Sequence, residues 1–182
     1  IVAQIARITL WMGHKQVSDK YGPAENVLPL VPLSSIVTGD ALRLDWPKTD
    51  AIIGNPPFLG AKLVRSALGD DYADWLSEQF GVGVKDLCVY WFRKTQDHLL
   101  PQQRAGLVGT NSVSQTSTKR ASLDYVLARG GTIADAVSSQ VWPGDAHVHV
   151  SIVNWVFGTL APQEAVILDG LDRVRDQIDE DM

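Results

Sequence analysis

The residues of this chain best equipped for chemistry are four in a row, Asn55-Pro56-Pro57-Phe58. Asn55 offers a carboxamide oxygen as acceptor. Pro56 has a carbonyl but no N–H, and the proline after it biases the backbone toward an extended shape that can turn this carbonyl outward. Phe58 supplies a flat apolar face. Two acceptors and a stacking ring are what is needed to hold a planar amino group, such as the 6-amino group of an adenine. The lone pair of such a nitrogen is delocalised into the ring, which makes it a poor nucleophile. Acceptors on its two hydrogens localise that pair and stabilise the positive charge that develops during attack. No side chain has to act as nucleophile or strong base. A reactive methyl group placed in line completes the transfer by proximity and orientation. A base taken from a duplex must first be flipped out, and the Phe58 ring offsets part of the lost stacking.

Pro-Pro is also a good strand terminator, and Asn before Pro opens turns, so the surrounding elements decide what the tetrapeptide means. The apolar run Ala51-Ile52-Ile53-Gly54 reads as a buried β-strand that ends where Asn55 begins. In an open α/β sheet, ligands bind at that carboxyl end. Further strands are predicted over residues 35–38, 105–110, 133–138 and 148–157, the last long enough to pair antiparallel with its neighbours. Helices are predicted over 2–16, 62–68, 72–80, 86–100 and 118–129. Asp86 can cap the fourth and Pro101 ends it, while Gly130-Gly131 closes the fifth. Pro23, Pro29 and Pro32 exclude a helix over 21–35. Strands alternating with helices point to an α/β fold, a mostly parallel sheet with helices on both faces and one antiparallel strand.

Composition fits a compact domain. The chain has 182 residues, 45% hydrophobic and 20% charged, enough for a real core. No apolar stretch approaches the roughly 20 residues that cross a bilayer. The amino end carries no signal-peptide pattern, and the single cysteine, Cys88, permits no internal disulfide, so a cytoplasmic setting is expected. Cys88 sits in an apolar stretch and reads as a buried structural thiol. One cysteine and four histidines show no metal-ligand spacing. His147 and His149 alternate with valines, which is strand patterning, so neither reads as a catalytic base. Tyr90-Trp91-Phe92 reads as core. A net charge of −5 with scattered basic residues argues against a strong grip on DNA by these residues alone. The acidic stretch after Asp169 reads as a solvated tail.

The tetrapeptide resembles motif IV of the amino-group-directed, S-adenosylmethionine-dependent DNA methyltransferases. Its continuation, Leu59-Gly60-Ala61-Lys62, resembles the adenine-specific branch of the MmeI-like enzymes, which join restriction and modification in one polypeptide. Three more stretches resemble the same family in the same order. Residues 5–13 are similar to the helix after motif II, residues 104–112 to motif VI, and residues 142–153 to the segment leading into motif VIII. The resemblance implies a partial Rossmann-like methyltransferase domain over residues 1–182, holding motifs III to VIII. The glycine-rich donor loop of motif I and a DNA-recognition domain would lie outside it. On this reading the first strand, which the family places beside the Asn55 strand, is also missing, leaving an open edge that a homodimer could cover.

The resemblance assigns further roles. Asp40 stands 15 positions before Asn55, as the acidic residue of motif III does. It would accept a bond from the adenine amine of the methyl donor, with Ala41 lining the same pocket; a turn-closing aspartate is the plainer alternative. Lys62 could reach a phosphate of double-stranded DNA, or be an ordinary surface lysine. Asn111 and Ser112 should share the rim of Asn55 and contact the target base, or simply close a turn. The implied activity is transfer of a methyl group from S-adenosylmethionine to a flipped adenine. Amino groups of RNA, a protein glutamine, or a purely structural fragment are the alternatives.

Overall fold

The computed structural model describes residues 2–22, 36–142, 148–159 and the backbone of 166–169. Two compact units result, Ile1–Asp45 and Trp46–Met182. In the first, helix α1 spans Val2–Tyr21 and carries an exposed Lys15–Asp19 pair at 3.1 Å, one turn apart. The strand expected over 35–38 does not form across residues 36–38. Asp40 takes the backbone into a turn instead. Its Oδ1 accepts the Leu42 amide at 3.0 Å, and its carbonyl accepts the amides of Arg43 and Leu44 at 3.0 and 2.9 Å. An aspartate whose side chain bonds the amide two residues on is a local turn maker that needs no sheet partner.

The second unit is built on five strands: β1 (Ala51–Gly54), β2 (Arg104–Thr110), β3 (Gly131–Val141), β4 (His149–Phe157) and β5 (Val166–Asp169). Their order is β1-β2-β4-β3-β5, with β1–β2 and β3–β5 parallel and β4 antiparallel to both neighbours. Four strands therefore share one direction, and the reversed strand lies inside the sheet. The fifth strand had no counterpart in the sequence reading, and the acidic tail beyond it lies outside the described residues.

The helices of this unit are α2 (Ala61–Leu68), α3 (Asp70–Phe80), α4 (Cys88–His98), α5 (Thr116–Ala121) and α6 (Leu123–Ala128). Asp70 and Asp71 place negative charge in the first turn of α3, and Gly81 ends it in the left-handed conformation at φ 61°. A single helix expected over 118–129 is broken at Ser122. The Ser122 hydroxyl donates to Thr118 O at 2.8 Å, competing with the helix ladder. Arg93 from α4 donates to Ala121 O at 3.1 Å while its guanidinium lies 3.7 Å over the Tyr125 ring. Gly131 then opens β3 where only glycine fits: a Cβ there would sit 2.5 Å from a Val126 methyl.

The core forms where one face of the sheet meets α4 and α6. Ala105 and Leu107 of β2, Val153 and Trp155 of β4, Cys88 and Phe92 of α4 and Val126 of α6 make one buried cluster. Phe92 and Trp155 stack at 5.6 Å with an interplanar angle of 15°. The indole N–H of Trp155 donates to Gln96 Oε1 at 2.9 Å, and Gln96 Nε2 donates to Arg129 O at 3.2 Å, so both buried polar groups are satisfied. Tyr90 and Phe92 are fully buried and Trp91 packs against the cluster, as the sequence pattern implied.

β1 differs from expectation. The apolar run reads as a buried strand, yet among the described strands β1 pairs with β2 alone, and Ile53 is 87% exposed. Apolar residues do not guarantee burial when the sheet ends beside them. Replacing Leu107 by Ala should cost about 2–5 kcal/mol in denaturant unfolding, as core truncations do. Ile53→Lys, on the open edge, should change stability by less than about 0.5 kcal/mol. Equal effects from the two would contradict this placement of the core.

Candidate functional site

β1 and β2 run parallel in the register Ala51↔Arg104 to Gly54↔Leu107, so both strands end on one rim. β2 continues three residues further, to Thr110, where a short 3-10 turn over Asn111–Ser114 begins. β4 starts at this same rim, since Thr110 pairs with Val150. Beside it Trp142 donates its amide to Val148 O at 2.9 Å, closing the base of the loop expected near the site. Residues 143–147, including His147, lie outside the described residues. His149 is exposed at the start of β4, with Nδ1 3.3 Å from Ser139 Oγ.

The loop leaving β1 is Asn55 to Gly60. Pro56 is buried, while Asn55, Pro57 and Phe58 are exposed, Phe58 at 38%. Pro56 thus anchors the loop and its neighbours face outward. Gly60 precedes α2 and cannot cap it with a side chain. A helix start left in that state has amide hydrogens without partners. Asp86, in the segment between α3 and α4, meets this need: its Oδ1 accepts the Ala61 amide at 2.8 Å. The Leu87 amide donates to Leu59 O at 2.8 Å alongside. The other carboxylate oxygen, Oδ2, accepts Thr110 Oγ1 at 3.3 Å and the Ser112 hydroxyl, and these two hydroxyls lie 2.6 Å apart.

A cleft of about 600 Å³ opens above this network, lined by Gly60 to Leu63, by Val84 to Asp86, and by Ser112, Gln115, Ser117 and Thr118. Two smaller hollows, of about 270 and 280 Å³, flank β1 and involve Ala51 to Ile53. They lie along the strand rather than at its carboxyl end, so the rim cleft is the candidate for ligand chemistry.

The site residues expected from the sequence fall as follows. Lys62 and Ser112 line the cleft, and Asn111 starts the turn at its rim. Ser112 is tied to Asp86, and the Asn111 carbonyl accepts the Ser114 hydroxyl at 2.9 Å. Asn55 to Phe58 do not line this cleft; Leu59 separates them from Gly60, where its lining begins on the β1 side. Asp40 and Ala41 belong to the first unit. There the Asp40 Oδ2 faces Arg43 Nε at 3.5 Å, and its side chain remains about a third exposed, at 31%. Among the described residues no group of three or more His, Cys, Asp or Glu could hold a metal ion.

Asp86 was missed as a site residue. It reads as a cap for α4, but Leu87 holds that position and no side chain caps it. What Asp86 caps is α2, 25 residues back in the chain. Only the Thr110 to Ser112 hydroxyl run, which needs an acceptor at the end of a strand, hinted at such a partner.

Cys88 opens α4 beneath the same network, with Sγ 3.7 Å from Thr110 Oγ1. Burial pushes its thiol above the ordinary range, outweighing the Thr110 hydrogen bonds that favour the thiolate.

A family model described as MmeI, DNA-methyltransferase domain matches residues 1–168. The chain belongs to that family. Among solved structures it is similar to the type IIL restriction-modification enzyme MmeI in complex with DNA, at 26% identity and a TM-score of 0.71. The match covers 92% of this chain and 24% of that one, so the chain spans about a quarter of that enzyme's length. A candidate class I S-adenosylmethionine-dependent methyltransferase from Listeria monocytogenes shares the fold, with a TM-score of 0.55 at 13% identity, over 76% of this chain and 43% of that chain. No curated protein matches the chain. The partial Rossmann-like methyltransferase fold expected from the sequence is thereby established. No helix among the described residues is long and apolar enough to cross a membrane.

Cys88 provides a check on the packing under the cleft. Native protein at pH 7 to 8.5 should leave Cys88 unreactive toward Ellman's reagent, with full labelling only after denaturation. Rapid labelling of the native thiol would show that the floor of the site is open.

Proposed function

We propose that the chain is the catalytic part of a DNA adenine methyltransferase, methylating the 6-amino group of a flipped adenine within a longer restriction-modification enzyme. The observation that carries this reading is the loop at the carboxyl end of β1, in which Asn55, Pro57 and Phe58 are exposed around a buried Pro56, two residues before the wall of the rim cleft begins at Gly60. Asn55 Oδ1 and the Pro56 carbonyl accept the two hydrogens of the amine. They draw charge toward its nitrogen and stabilise the cation formed as the new N–C bond closes. Phe58 stacks on the extruded base and replaces part of its lost duplex stacking. Lys62, on the same side of the cleft, holds the nucleotide by charge, and Asn111 and Ser112, at the end of β2, hold it by hydrogen bonding.

S-adenosylmethionine, when bound, supplies an electrophilic methyl group. Asp40 would hold it by its carboxylate, a group that can accept an adenine amine, with Ala41 beside it. The proton released from the amine passes to solvent, so no base is needed among the chain's residues. On this reading the 182 residues hold motifs III to VIII, and the glycine-rich donor loop and the DNA-reading domain come from elsewhere in the polypeptide. The chain by itself is then inactive. Its partner is double-stranded DNA, gripped mainly by those other parts.

In the full-length protein, Asn55→Ala should lower the methylation rate by about 100- to 1,000-fold, as loss of one preorganised polar group does. DNA affinity should stay close to wild type. Assays on DNA, RNA and a glutamine-containing protein substrate, run side by side, identify the substrate class. Wild-type rates in the Asn55→Ala protein would refute the assigned role.

A further inference from the structure

Building on the reading of the Asn55 loop as the amine-gripping element, we propose that Asp86 is a positioning residue that holds this loop in register with the end of β2. It does so without touching the reacting atoms.

Two segments far apart in the chain meet on its one carboxylate, which a third, its own, carries. From the β1 side, the Ala61 amide donates to Oδ1 at 2.8 Å, three residues after Phe58. From the β2 side, Thr110 Oγ1 donates to Oδ2 at 3.3 Å and Ser112 donates to the same oxygen. The α4 side is the backbone of Asp86 itself, locked by the Leu87 amide on Leu59 O at 2.8 Å and by the Val89 amide on Asp86 O at 3.0 Å. The tie is electrostatic as well as geometric. Gly60 leaves the start of α2 without a side-chain cap, and a carboxylate at a helix start meets the positive end of the backbone dipole.

β1 makes such a tie necessary. It is four residues long, pairs with one described strand, and leaves Ile53 exposed, so its own pairing restrains the following loop weakly. Pro56 is the loop's one buried member. Asp86 and the Leu87–Leu59 bond fix its far end. A direct role as a base fits poorly, because both carboxylate oxygens already accept hydrogen bonds from the fold. Asparagine is close in shape and keeps an acceptor for the Ala61 amide, with an NH₂ that the hydroxyls of Thr110 and Ser112 can accept. Alanine removes every arm.

The test uses the full-length protein carrying Asp86→Ala, Asp86→Asn, Ala61→Pro and, in parallel, Asn55→Ala. Asp86→Ala should lower kcat by about 100-fold through misplacement of the loop, with KM for DNA unchanged. Exchange of the Ala61 amide hydrogen should accelerate in the same variant. Asp86→Asn should restore most of the rate and the amide protection. Should Asp86→Ala fail to fold, Ala61→Pro decides, since proline is accepted at the first position of a helix but removes the donor to Asp86. It should reproduce the kcat loss at constant KM. Wild-type kcat in Asp86→Ala or Ala61→Pro overturns the proposal. So does an Asp86→Asn protein as impaired as Asp86→Ala while its Ala61 amide stays protected, because charge rather than position would then matter. If Asn55→Ala keeps full activity, the amine-gripping reading fails instead, and amide exchange at Ala61 still decides whether Asp86 holds the loop.

Discussion

The parallel pairing of β1 with β2 is the constraint on which the site depends. Four residue pairs, Ala51↔Arg104 to Gly54↔Leu107, set where the chain leaves the sheet at Asn55 and which way it is heading. Strand pairing has a period of two, so a slip of one residue would exchange the faces on which Ile52 and Ile53 point. Ile52 packs against the core cluster and Ile53 stands in solvent, so the burial of one side chain selects the register. Because Leu107 and Ala105 on β2 are themselves held between α4 and β4, the position of the exposed loop is inherited from the core. β1 adds little hold of its own. That is why a carboxylate clamp on the far end of the loop is mechanically sensible.

Much of the architecture was legible because its causes are local. Alternating burial along β2 and β4, the Gly130-Gly131 stop, and the aromatic Tyr90 to Phe92 core follow from spacing and side-chain size. The Asn55 to Phe58 loop was legible for the same reason: its chemistry lies in four adjacent residues. What failed was competition from side chains, some of it local and some of it long-range. Residues 36–38 have strand-like character but form no strand, and Asp40 takes the chain into a turn just beyond them. One helix over 118–129 is a fair reading of composition, yet Ser122 bonds backward, and Arg93, from an element some thirty residues earlier, takes the carbonyl of Ala121. Asp86 combines both failures. Its apparent local job, capping α4, is not the one it performs, and its true partners lie 24 to 26 residues away on either side.

The polar groups near the rim show how a site can be built over a hydrophobic floor. Cys88 and Val113 are fully buried directly beneath Thr110 and Ser112, which hand their hydroxyls to Asp86 rather than to solvent. A half-buried carboxylate with three donors is well satisfied, and such groups hold geometry firmly because leaving any donor unpaired is costly. The polar groups of this rim are thus held in place by the fold itself.

The reversed strand β4 has a consequence for how the molecule assembles. β2 is hydrogen-bonded on its inner side only to β4, whose residues follow after α5, α6 and β3 have been made. The inner edge of β2 therefore stays open until the chain has doubled back through a long hairpin, and pairings that close such large loops form slowly. On a ribosome, the half of the sheet that bears the Asn55 loop would emerge first and wait, one edge bare, for a strand that follows only after α5, α6 and β3.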